Sequence, residues 1–71
     1  MAETAELYRA RAAAERANAA AATLDNVRNR CERAAHAWED MAARLERTTA
    51  LRIEREGAAH ERLLVSAGEV A

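Results

Sequence analysis

From Met1 to Glu56 the chain contains neither proline nor glycine, and its two glycines stand at positions 57 and 68. Proline breaks a helix by removing a backbone donor, and glycine by the entropy of its free backbone. A stretch this long without either is hard to reconcile with a sheet or a loop-rich fold. Alanine supplies 21 of the 36 apolar residues and has the best intrinsic helix propensity, because it loses no side-chain entropy on ordering. The expected class is therefore all-α, in a single domain over residues 1–71. Alanine also buries little surface, and only 15 apolar side chains are larger than it. Helices this poor in bulk complete a core best by pairing with other helices, so a homo-oligomer, first of all a dimer, is expected.

The second half carries the clearest pattern. Leu24, Val27, Cys31, Ala34, Trp38, Met41, Leu45 and Thr48 are spaced 3-4-3-4-3-4-3, a heptad seam of the kind that lines a helix–helix contact. The opposite positions are nearly all polar, and Ala35 and Ala42 widen the inside. Val27, Cys31, Ala34, Trp38, Met41 and Leu45 are the candidate core and oligomer interface. Trp38, the largest of them, is expected at the centre of the contact, since aromatics dominate core and interface energies.

The first half is less decided. Leu7, Ala10, Ala14, Ala17 and Ala21 form one apolar stripe, and Tyr8, Ala12 and Ala19 form another on a different side. Two narrow stripes suit a helix with two neighbours. Between the halves, Thr23-Leu24-Asp25-Asn26 is the only cluster with capping chemistry before Gly57, because Thr23 or Asp25 can accept from the free amides that begin a helix. This favours a hairpin with helices at 3–22 and 24–56. The rival is one unbroken helix, for which Ala10, Ala13, Ala17 and Ala20 extend the later seam backwards in register.

After Thr48 the seam fails, because Arg52 and Arg55 take its next places. Gly57 can end the helix or sit inside one at a cost of about 1 kcal/mol, with an extension to residue 65. Residues 66–71 read as a frayed tail. Ile53, Gly57, His60 and Leu64 recur at 4-3-4 spacing on a face distinct from the seam. They read as a loosely packed end of the bundle or as a docking strip for another protein. In the hairpin reading the second helix outruns the first and leaves seam positions from about Leu45 onward uncovered. Two hairpins covering each other there would make a four-helix bundle homodimer.

Tyr8-Arg9-Ala10-Arg11-Ala12, Arg16, Thr23, Arg28, Ala34, Trp38-Glu39-Asp40-Met41-Ala42 and Glu46 together resemble a class of short bacterial proteins most frequent in alphaproteobacteria. Their pattern opens with Tyr or Trp followed by Arg-x-Arg-Ala and passes a Ser/Thr-Asp-Pro-like turn. It closes on Tyr or Trp-x-x-Leu/Met-Ala. The likeness runs from about residue 8 to 47 without a gap, through motifs of low information content. It implies a helical hairpin turning near Thr23, and no activity. Leu24-Asp25 stands where the pattern has Asp-Pro.

The remaining residues argue mostly by exclusion. Eleven arginines, with no lysine, face twelve acids for a net charge of −1. A nucleic-acid footprint normally shows as a clustered basic excess, so a nucleic-acid-associated regulatory protein is the second reading. Membrane-surface helices usually carry a Lys/Arg-rich polar face, and no run approaches the ~20 apolar residues of a membrane span. The Met-Ala-Glu-Thr start has no apolar signal region, so cytoplasm is the expected location. Cys31 is alone, which excludes an internal disulfide, and its place on the seam reads as core packing. Glu32, His36 and Asp40 share a face, but the Glu-x-x-His string of carboxylate-bundle metal proteins does not occur. They read as a solvated face, and His60 has no companion ligands. Arg11–Glu15, Arg28–Glu32, Asp40–Arg44 and Arg52–Glu56 are spaced as exposed i,i+4 pairs. No cofactor, metal or catalytic motif is present, and the chain reads as a non-enzyme. The expectation is a self-associating helical interaction module, a small regulator or adaptor whose partner is itself or another protein.

Overall fold

A computed structural model describes residues 3–70 of the chain, with side chains to residue 68. Two helices make up the fold, α1 over Ala5–Ala21 and α2 over Asp25–Val70, and they pack against each other as an antiparallel hairpin. The chain turns back at 22–24, so the single-rod alternative does not hold.

Thr4 starts α1. Its backbone is extended and its Oγ1 accepts from the Leu7 amide at 3.1 Å, which satisfies one of the free donors of the first turn. Glu6 follows in that turn, where the helix dipole favours negative charge. Ala22 ends the helix in an extended conformation while its amide donates back to the Ala19 carbonyl.

Neither Thr23 nor Asp25 caps α2 in the way its chemistry suggests. Arg28 holds the turn instead, donating to the Asp25 carboxylate and to the Ala22 carbonyl, each at 3.1 Å. One guanidinium thus ties the first turn of α2 to an end carbonyl of α1. Multiple rigid donors make arginine suited to this bridging.

α2 does not stop at Glu56 or at 65, and residues 66–70 are helical rather than frayed; residue 71 lies outside the described residues. Gly57 sits within the helix without a left-handed backbone. The alanines, arginines and glutamates around it are strong helix formers, and extending an existing helix is far easier than nucleating one. At 1.5 Å per residue α2 is about 69 Å long and α1 about 25 Å. The molecule accordingly measures 71 × 19 × 15 Å.

The buried line between the helices runs through Ala12 and Ala19 of α1 and through Cys31, Ala35 and Ala42 of α2. Tyr8, Glu15, Trp38, Leu45 and Thr49 are half-buried along it. The seam is thus displaced from the expected one. Ala35, Ala42 and Thr49 occupy the places given to Ala34, Met41 and Thr48, and the 3-4 spacing is preserved. Ala35 and Ala42 have no exposed surface. Small residues on both helices allow the backbones to approach closely, and that approach is lost if Val27 or Met41 lies between them. On α1 the Tyr8–Ala12–Ala19 stripe faces α2, whereas Ala10, Ala14, Ala17 and Ala21 look outward.

Candidate interaction surface

Of the six candidate interface residues, Cys31, Trp38 and Leu45 lie on the face of α2 that α1 occupies. They belong to the core of one chain and are covered from within it. Val27, Ala34 and Met41 flank that line and remain half-buried. The covered stretch also extends further than expected. A shallow cleft between the start of α1 and α2 is lined by Thr4, Ala5, Leu45, Thr49 and Ile53, so cover runs to about Thr49 and not merely to Leu45.

Trp38 anchors an aromatic and ionic cluster midway along the covered part of α2. Its ring stacks on Tyr8 with centroids 5.7 Å apart and planes inclined by 28°, and the Arg11 guanidinium lies 5.2 Å from its centroid. Arg11 therefore turns to an indole rather than to Glu15, a contact worth about 0.5–1 kcal/mol at an exposed site. The Tyr8 hydroxyl donates to the Glu3 carboxylate at 2.6 Å. That hydrogen bond, with desolvation and the negative charge of Glu3 adding to it, raises the Tyr8 ionisation above its usual value of 10.0.

Two ion pairs cross from helix to helix, Arg9 to Glu46 and Arg16 to Glu39. The arginines are seven residues apart and so are the glutamates, in reversed order. This complementary heptad spacing is the signal in the sequence that marks the antiparallel register. Among the pairs expected at i,i+4, Arg52 and Glu56 stand at 4.0 Å, while Arg28 turns to Asp25 and the turn. Exposed pairs contribute little stability, about 0.2–1 kcal/mol each, but they penalise a shifted register.

Beyond Thr49 every side chain described on α2 is exposed. This arm carries Leu51, Ile53, Leu63, Leu64 and Val65, five of the seven large apolar side chains that are exposed among the described residues. Ile53, His60 and Leu64, the strip read from the sequence, lie on it. With about 100° per residue, Ile53, His60, Leu64 and Ala67 point within about 40° of the direction of Ala42. The strip is therefore not on a face distinct from the seam. Once the seam runs through Ala35 and Ala42, the strip is its uncovered continuation. Ile53 is 61% exposed, Leu63 69% and Leu64 59%. Leu63, which the sequence reading left out, borders the same face. Leu51 and Val65 point away from it.

The candidate polar chemistry is dispersed. Glu32, His36 and Asp40 are exposed on the outer surface of α2, and among the described residues no three His, Cys, Asp or Glu side chains are grouped to hold a metal ion. Cys31 is buried and unpaired. No helix among the described residues is long and apolar enough to cross a membrane. Comparison with known proteins adds no relative: no family model, curated protein or solved structure matches the chain.

Proposed function

We propose that this chain is a self-associating helical interaction module, a homodimer that acts as a small regulator or adaptor and not as a catalyst. The observation that carries this reading is the exposed apolar strip on the α2 arm, continuous with a face that α1 covers elsewhere. Fully burying an aliphatic side chain such as Ile53, Leu63 or Leu64 contributes roughly 1.5–3 kcal/mol. Monomeric proteins seldom leave a contiguous patch of this kind open, and such patches usually mark a protein contact. The polar surroundings of the strip carry both signs of charge, which favours a protein surface over a polyanion.

The four-helix bundle expected from sequence has two hairpins covering each other from about Leu45 onward. Whole hairpins laid side by side would instead meet through the flank of Val27, Ala34 and Met41, which is already half-buried. The arm offers more free apolar surface, and the dimer is assigned to it. Molar mass from light scattering on a sizing column, with reductant and at two loading concentrations, tests the reading. A mass near twice 7.8 kDa is expected. A monomer at both concentrations, still helical by circular dichroism, would overturn self-association.

A further inference from the structure

We infer that the occupant of the arm is the arm of a second copy, laid antiparallel, so that each copy covers on its partner the part of this face that α1 leaves open on its own chain. This inference rests on the self-association proposed above and specifies its geometry.

Three observations lead to it. The first is continuity. Ile53, His60 and Leu64 prolong the face that Ala35 and Ala42 present to α1, so one helix groove runs the length of α2 and α1 fills only part of it. The second is length. Residues 53–70 span about 27 Å, close to the ~25 Å of α1. An arm is thus a helix of the size that this face accepts. The antiparallel register of two arms centres between Glu61 and Arg62. It sets His60 against Leu63, and Gly57 against Ser66 and Ala67, small against small as in the α1–α2 seam.

The third observation fixes direction. The start of α1 borders α2 at Leu45, Thr49 and Ile53. A second copy aligned parallel on the arm would carry its own residues 25–50 into the space that α1 occupies. An antiparallel copy carries its hairpin past residue 70 of the first, away from the space that α1 occupies. The product is a rod, with two arms overlapping at its centre and one hairpin at each end.

Small-angle X-ray scattering on the full chain separates the outcomes, read together with its mass. A single hairpin is 71 Å long, and two overlapping through their arms reach a maximum dimension of about 115 Å, from the ~27 Å overlap. A dimer of that length is expected. The Leu63→Glu/Leu64→Glu double variant is expected to run as a monomer of about 71 Å with its helicity retained. A dimer that stays near 71 Å would overturn the rod and leave self-association standing, as side-by-side hairpins require. A wild-type monomer would overturn both. A long dimer unmoved by the double variant would overturn the arm as its contact, and Ile53→Glu provides an independent check if the double variant fails to express.

Discussion

Alanine at two positions sets how closely the helices of this hairpin approach. Ala35 and Ala42 have no exposed surface, and no space for a longer side chain opens without parting the helices. Ala42→Leu is therefore expected to destabilise the fold by about 1–3 kcal/mol, the range for overpacking a filled core. Ala37→Leu, on the exposed side of the same helix, should stay within about 0.5 kcal/mol. Urea denaturation of both variants distinguishes them, and equal midpoints would contradict the displaced seam. Tyr8 offers a second test. Its folded ionisation is raised through the bond to Glu3. A group raised in the folded state stabilises fully below its unfolded value, and that contribution is lost as pH climbs through the folded one. Ultraviolet titration of the phenol should give a midpoint above 10.0, and Glu3→Ala should bring it down toward that value. An unchanged midpoint in Glu3→Ala would remove Glu3 as the cause.

At the scale of the helices, Gly57 is the informative position. It lies in the interior of α2, and a Cβ added there meets nothing within 4 Å. Gly57→Ala should then raise the helical ellipticity and increase stability by about 0.5–1 kcal/mol through the backbone alone. A loss of ellipticity would mean that the arm is not a continuous helix. The helical class and the turn near Thr23 were legible because no breaker stands before Gly57 and a capping cluster marks one place. The exact seam was harder to read. Ala34 and Ala35, like Met41 and Ala42, are neighbours in sequence that both suit an interior, and a preference for the larger member selects Met41 over Ala42. Close helix approach reverses that preference, a tertiary effect that a one-helix pattern does not contain. The reversed spacing of Arg9 and Arg16 against Glu39 and Glu46 did contain it, because it fixes which residues of the two helices stand level. The line of Ile53, His60 and Leu64 was legible in its spacing and misplaced as a face, since its position was judged against the undisplaced seam. Turn chemistry was missed for another reason: Arg28 reaches back over six residues to the Ala22 carbonyl, and local capping rules do not look that far.

For the whole molecule, α2 is one continuous helix in two environments. Residues as far as Thr49 are stabilised by packing against α1. The arm has no intramolecular cover, and most helical stability in proteins comes from tertiary packing of an amphipathic face. The arm is held by continuation from the covered part of α2 and, in the proposed dimer, by its twin. Association that occurs only between folded chains stabilises them by mass action, so melting should depend on protein concentration. Raising the concentration a hundredfold above the dissociation constant adds about 2.7 kcal/mol, and a domain of this size gains roughly 4–8 °C per kcal/mol. The midpoint followed at 222 nm should therefore climb by several degrees or more from the low to the high micromolar range. The Leu63→Glu/Leu64→Glu variant should melt at one temperature throughout, near the wild-type value at low concentration, because its hairpin is intact and only the shared surface is gone. A wild-type midpoint indifferent to concentration would mean that the hairpin draws no stability from a second copy.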